Sequence, residues 1–270
     1  MRKLLAVLTT IALIVMSFTA CAGNGGETFK LGMGTEVAYK SGTSGAASFE
    51  ATVATVILDK EGMNVRYSLV DKSIVECCAE QLGGESVNLG KMGCTIETSE
   101  RILDRRIDRL AGAEYVLLEC GGNDSDYDWR SIAQDPNGEH LPNTPLERFL
   151  AAYERVINKI KQIGAKPLVL SLPPMDAERY FAFFSAGWTQ ELRDNVLCWL
   201  GGTTNAILSG HELYNLATMQ VAQRTGAQWI DVTSIFLESR NYKAFLCEDG
   251  IHPNEQGQRK IAEAILRALK

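Results

Sequence analysis

Tyr115-Val116-Leu117-Leu118-Glu119-Cys120-Gly121-Gly122-Asn123-Asp124 is the stretch on which the fold turns. Val116 to Leu118 is a continuous apolar run, the pattern of a strand buried on both faces of a parallel sheet. Two glycines end it. They tolerate φ > 0 and carry no side chain, so the chain turns sharply and Asn123 can present its amide at the carboxyl edge of the sheet. That edge is where open α/β folds bind ligands.

The flanking sequence repeats the same alternation. Ser86 to Leu89 reads as a short strand, and Glu97 to Leu110 as a charged helix with Ile102, Leu103, Ile107 and Leu110 turned inward. Thr144-Pro145-Leu146-Glu147 has the form of a capping box with proline at the first helical position, opening a helix to about Gly164. Pro167 to Leu172 is a further buried strand halted by Pro173-Pro174, two or three helices fill Asp176 to Thr225, and Gln228 to Val232 is a strand. Asn254 caps a final helix through Ile261, Ile265 and Leu269. On the amino-terminal side, Ala51 to Leu58 and Asn64 to Leu69 read as a hairpin around Asp59-Lys60-Glu61-Gly62, and Asp71 as the cap of a helix ended by Gly83-Gly84. Strands alternating with helices imply an α/β fold with a parallel sheet covered on both faces.

Bulk properties narrow the function. Lys and Arg total 27 against 33 Asp and Glu, a net charge of -6, which offers a nucleic acid nothing to bind. Arg2 and Lys3 followed by the apolar stretch from Leu4 to Phe18 have the form of an export signal, too short for a stable span. Phe18-Thr19-Ala20-Cys21 resembles a bacterial lipobox, which implies cleavage before Cys21, lipid on its sulfur and an extracytoplasmic, membrane-anchored protein. The plainer alternative is a secretory signal with a chance cysteine. The expected organisation is a signal peptide over 1–20, a tether and lipoprotein leader over 21–64, and the catalytic-type domain over 65–270. Six cysteines remain after Cys21. No zinc-type spacing appears among them, so no metal is expected, although Cys120 and Cys247 both lie just upstream of candidate site residues and a Cys/Cys/His site is an alternative.

Chemistry is suggested near the carboxyl end by Cys247-Glu248-Asp249-Gly250-Ile251-His252-Pro253-Asn254. In Asp249-x-x-His252 the acid can hold one imidazole nitrogen and leave the other to take a proton from a nucleophile. Asn123 and a backbone N–H, with Gly93 the candidate in Asn88-Leu89-Gly90-Lys91-Met92-Gly93-Cys94, could stabilise an oxyanion. Each feature alone has a plainer reading, as a turn or a helix cap. Over roughly Tyr67 to Lys270 their order resembles the SGNH/GDSL hydrolase superfamily. Asn88 to Gly93 is similar to its second block, Gly121 to Asp124 to its third, and Asp249 to Pro253 to its fifth. Pro173 to Tyr180 resembles a subgroup of small bacterial members. The resemblance implies a three-layer α/β/α, flavodoxin-like fold and hydrolysis of esters, often carbohydrate O-acetyl groups, with lipid esters a further class. It implies Gly93 and Asn123 as oxyanion donors and Asp249 and His252 as acid and base, without a cofactor.

The family's first block, Gly-Asp-Ser, is missing, and Phe49-Glu50-Ala51 stands where it is expected. The sheet is therefore expected to lack its first strand. Ser44 and Ser48 are candidate replacements for the nucleophile, with Cys94 a further one, and the alternative is that both serines belong to a linker. Phe29 to Asn64 is similar to the lead-in of small clostridial-type lipoproteins. Three readings follow: an exported ester hydrolase; a surface lipoprotein that binds a glycan or acylated ligand through Asn123, Arg179, Trp129 and Tyr180 without turnover; and a flavin carrier, since Ser44 to Ser48 is similar to a flavin-attachment motif with Ala47 in place of the acceptor threonine. His140 and His211 have no assigned role, and His211 is expected at the surface or in packing.

Overall fold

The alternation becomes, in the computed structural model, a parallel sheet with helices on both faces. The structure describes residues 4–11, 51–59, 62–69 and 74–269. In chain order they form β1 (Leu4–Ile11), β2 (Ala51–Asp59), β3 (Gly62–Leu69), α1 (Ile74–Gln81), β4 (Glu85–Asn88), β5 (Lys91–Met92), α2 (Ile96–Arg106), β6 (Ala113–Glu119), α3 (Gly122–Ser125), α4 (Trp129–Gln134) and α5 (Leu146–Gln162). There follow β7 (Lys166–Leu170), α6 (Ala177–Phe184), α7 (Gln190–Trp199), α8 (Asn205–Thr225), β8 (Gln228–Ile230), α9 (Ser234–Leu237) and α10 (Glu255–Ala268). The main sheet has the order β4-β1-β6-β7-β8, with β5 also on β1, and every pairing in it is parallel. β2 and β3 form the expected hairpin as a separate antiparallel pair.

Strand periodicity divides the core. Val116 and Leu118 of β6 and Val169 of β7 pack with Leu103, Phe149, Tyr153, Val156 and Val221 from α2, α5 and α8. Leu117, Leu168 and Leu170 face the other way, onto Val75 and Cys78 of α1, Phe236 of α9 and Ile261 and Ile265 of α10. Successive residues of a strand point to opposite faces, so one uninterrupted apolar run supplies both layers. This is the expected three-layer α/β/α arrangement. A third cluster, Trp129, Ile132, Tyr180, Phe184, Val196 and Ile207, joins α4, α6, α7 and the start of α8.

Two sequence expectations change. Leu4–Ile11, read as part of a signal outside the fold, lies between β4 and β6, so the sheet has a strand where one was expected to be missing. The physical reason is that a short apolar run satisfies the requirements of a central parallel strand as well as those of a signal. The capping box at Thr144 does not form: Pro145 is the N-cap of α5, without a side-chain bond. Thr144 is drawn instead to the turn after β6, its N–H donating to the Asp124 carbonyl at 3.0 Å while its own carbonyl accepts from the Tyr214 hydroxyl. Asn254 does cap α10, its side-chain oxygen accepting from the N–H groups of Gln256 and Gly257.

Candidate active site

The loop before α10 folds back on itself. Cys247 N–H donates to the His252 carbonyl at 2.8 Å, and Leu246 bridges to Pro253. Within this turn the buried Asp249 carboxylate faces inward. One oxygen accepts from the backbone N–H groups of Ile251 and His252, both at 3.0 Å, and the other lies 2.5 Å from His252 Nδ1. A buried carboxylate whose oxygens are occupied in this way cannot swing, so it fixes the imidazole. His252 is 5% exposed, and its Nε2 is buried with no hydrogen-bond partner among the described residues.

Residues 176–180 clamp the loop from outside. Asp176 N–H donates to the Gly250 carbonyl at 2.7 Å, and Arg179 Nη1 donates to the carbonyls of Cys247 (3.0 Å) and Lys243 (3.3 Å). Gly250 has φ +77°, and a Cβ there would lie 2.8 Å from both the Asp176 carbonyl oxygen and Arg179 Cβ. Only glycine meets the backbone conformation and the close approach together. Arg179 is therefore a structural clamp and does not line the cavity beside His252, in contrast to its expected role in ligand binding.

The turn after β6 ties two further candidates together. Gly121 takes φ +142°, and a Cβ there would meet Leu172 at 3.0 Å. Asn123 is buried, and its amide donates to the Cys94 carbonyl at 3.0 Å, which joins it to the loop carrying Gly93. One N–H of the amide is spent on that loop and the second remains. Gly93 is exposed with φ +69°. The neighbouring Asp124, which sequence reasoning did not single out, secures the same junction: both carboxylate oxygens accept from Ile96 N–H at the start of α2, at 2.9 and 3.2 Å. Its only sequence signal is its place beside Asn123.

Desolvation pushes the Asp124 carboxyl up to about 7 from the ordinary carboxylate range. In the folded protein it holds its proton between pH 4 and 7, where the unfolded chain has released it. Its contribution is thus complete below about pH 4 and is lost as pH rises through about 7. Asp124→Asn is expected to remove this dependence. In urea melts at pH 4 through 8, wild type should lose on the order of 3 kcal/mol relative to the variant, and parallel curves would show that Asp124 ionises freely in the fold.

The loop carrying Asp249 and His252 and the β6 turn meet at a cavity of about 170 Å³ beyond the carboxyl ends of β6 and β7. His252 and Gly122, the residue before Asn123, lie on its wall, with Glu119, Leu170 and Leu172 from the strand ends. Asn123, hydrogen-bonded to the residue after Gly93, adjoins this wall through Gly122, but neither Gly93 nor Asn123 itself lines it. Tyr127, Trp129, Tyr180 and Trp199 form much of the rest. Trp129 stacks on Phe184 with ring centroids 4.7 Å apart, and Asp126 accepts from Trp129 Nε1 at 2.7 Å and the Tyr180 hydroxyl at 2.8 Å. His211 also lines the cavity, contrary to the expectation of a surface or packing histidine. Its place on the inner side of α8 became visible only once the helix was docked. His140 is remote in role, its Nε2 hydrogen-bonded with the Asp135 carbonyl at 2.7 Å.

Cys94 is a poor nucleophile, since burial pushes its thiol up to about 11 and little thiolate forms near neutrality. The cysteines of the described residues are all free thiols. Cys120 Sγ contacts Ser99 Oγ at 3.7 Å, and among the described residues no group of His, Cys, Asp and Glu is arranged to hold a metal ion. Ser44, Ser48 and Cys21 lie outside the described residues.

Comparison with known proteins places this geometry in context. A model of the GDSL-like lipase/acylhydrolase family matches residues 62–260. A GDSL esterase/lipase of Arabidopsis thaliana is 25% identical over 166 residues, covering 60% of this chain and 57% of the plant protein. One from rice is 25% identical over 185 residues, covering 67% and 64%. The chain thus spans less than two thirds of the plant proteins' own length. An isoamyl acetate-hydrolyzing esterase 1 homolog of Bos taurus is 24% identical over 200 residues, covering 72% of this chain and 69% of that one. In structure the chain is similar to a lipase/acylhydrolase from Enterococcus faecalis, with TM-score 0.50, 16% identity and 73% and 84% of the two chains covered. It is also similar to a variant of an acetyl-xylooligosaccharide esterase from Geobacillus, with TM-score 0.52, 17% identity and 73% and 80% covered. At these identities the structural likenesses speak for the fold.

Proposed function

We propose, from the premise that this chain belongs to the GDSL-like lipase/acylhydrolase family, that it hydrolyses a carboxylic ester of a small molecule or carbohydrate. The observation that carries the reading is His252, oriented by Asp249 at 2.5 Å, with its other ring nitrogen bare beside a cavity. A proton held on Nδ1 by the carboxylate leaves Nε2 as the base. That base takes the proton of an attacking hydroxyl, the ester carbonyl becomes a tetrahedral oxyanion, and the imidazolium returns the proton to the departing alcohol. Where the attacker is a serine, a water deprotonated by the same imidazole then attacks the acyl-serine and releases the acid and the free serine. The Asn123 amide and Gly93 N–H are the donors assigned to the oxyanion, since their loops are joined and adjoin the cavity wall. The attacking oxygen belongs to Ser44, Ser48 or a water molecule, because the sequence has no Gly-Asp-Ser.

The test is hydrolysis of p-nitrophenyl acetate by wild type, His252→Ala, Ser44→Ala and Ser48→Ala. His252→Ala is expected to lower the rate by at least about 100-fold. An unchanged rate removes the reading, and loss in one serine variant identifies the nucleophile. The missing Gly-Asp-Ser favours one second reading, a cleft that holds an acylated ligand without turnover, which the same assay separates by giving binding and no rate. For a form of the chain cleaved before Cys21 we also propose export with lipid on that residue, on the strength of the Phe18-Thr19-Ala20-Cys21 sequence. The intact mass of protein recovered from a bacterial membrane fraction tests it.

A further inference from the structure

The cavity beside His252 carries more information than its position, because most of the polar side chains on its wall are engaged inside the protein, while His252 Nε2 and His211 Nδ1 are buried without a hydrogen-bond partner among the described residues. Both oxygens of Asp126 are taken, by Trp129 Nε1 and by the Tyr180 hydroxyl. Ser125 Oγ donates to the Gly122 carbonyl at 3.0 Å, and His252 Nδ1 is held by Asp249. Glu119 has interactions of its own. What faces the space is mainly the apolar and aromatic surface of Leu172, Met175, Tyr127, Trp129, Trp199 and Ile207.

A carbohydrate unit needs aromatic faces to stack on and also several free donors and acceptors for its hydroxyls. Hydroxyls buried without partners cost a few kcal/mol each. An apolar group asks for none. Size sets the second limit: a dry apolar cavity of about 150 Å³ holds a benzene ring, and this one is about 170 Å³. A small alkyl or phenyl arm therefore fits, whereas an enclosed drug-sized ligand needs about 300 Å³ or more.

We propose that the site selects esters with a compact apolar arm, a straight chain of about six carbons or a phenyl ring, seated between Trp129, Trp199 and Ile207. The inference rests on the ester-hydrolase reading for its chemistry, but not for the binding it asserts. His211, Gln258 and the Tyr127 hydroxyl put polar groups at the margin of the apolar surface, so the seat for the arm is bounded and a long acyl chain would run beyond it.

The experiment has two independent arms. In the first, kcat/KM is measured for p-nitrophenyl acetate, butyrate, hexanoate and decanoate, and for acetylated xylobiose. The expected result is a rise of about fourfold per methylene up to hexanoate, as burial of each methylene predicts, and a fall at decanoate. In the second, methyl hexanoate and methyl acetate are titrated into the His252→Ala protein and followed by tryptophan fluorescence. Hexanoate is expected to bind about 250-fold more tightly than acetate, four methylenes at about fourfold each. Ile207→Trp, which fills the space, is expected to abolish the preference for hexanoate over acetate in both arms. Preferential binding of hexanoate without turnover overturns the hydrolase reading and leaves this inference standing. Equal handling of acetate and hexanoate, or preference for acetylated xylobiose, overturns this inference and leaves the hydrolase reading intact.

Discussion

Asp249→Asn is expected to lower ester hydrolysis by about 10⁴-fold while the protein stays folded. Asn keeps the oxygen that accepts from the Ile251 and His252 N–H groups, so the turn survives. What changes is the partner of His252 Nδ1, now 2.5 Å from a carboxylate oxygen. An amide NH₂ turned toward that nitrogen makes it an acceptor, which moves the ring proton to Nε2. The nitrogen beside the cavity then has no lone pair for the nucleophile. Thermal unfolding measured with the rates separates the two effects. A rate lost together with the folded state means that Asp249 serves the loop, and an undiminished rate in a folded variant removes the acid from the chemistry. Gly250 and Arg179 enter the same argument from outside, because a carboxylate can fix a tautomer only if its own backbone is fixed.

The reach of the sequence follows from the range of the interactions. The Asp249–His252 contact was legible because the two residues are three apart and meet within one turn. The sharp turn that carries Asn123 was legible because a buried strand ending in two glycines has few uses other than a close approach, whereas the bond from its amide to the Cys94 carbonyl spans 29 residues and was not. Arg179 was misread: an exposed-looking cation after Pro173-Pro174 suggests ligand binding, whereas its partners, the carbonyls of Lys243 and Cys247, lie 64 and 68 residues further on. Asp124 and Asp126 were passed over for the same reason, since their partners at Ile96 and Tyr180 come from distant elements. Helix boundaries failed where tertiary contacts outbid local signals. Thr144 gave up its cap to hold the β6 turn, and the helix expected from Glu97 to Leu110 tightens into a 3-10 turn from Ile107. The apolar run at the amino terminus is a different case, because composition alone cannot separate a strand core from a signal core.

That run is the basis of the second large effect. A protein beginning at Cys21 is expected to lose its cooperative unfolding transition and its hydrolysis together. β1 pairs over Leu4–Val7 with β4 and over Leu4–Thr9 with β6, and among the described residues β4 and β5 have no other strand partner. Without β1, the pair of short strands flanking Leu89 and Gly90 is detached from β6, and with it the loop that brings Gly93 and Cys94 to Asn123. Roughly ten ladder hydrogen bonds at about 1 kcal/mol each, before any apolar burial is counted, match the whole 5–15 kcal/mol by which domains are stable. Urea melts of residues 1–270 and 21–270, followed by near-ultraviolet dichroism, measure the difference. A sigmoidal transition with an unchanged midpoint in the shorter protein would show that the sheet closes without Leu4–Ile11, and the export reading would gain what the strand loses. The two fates exclude each other within one molecule: cleavage before Cys21 removes the strand between β4 and β6, so lipid anchoring and the complete sheet belong to different forms of the chain, distinguishable by mass.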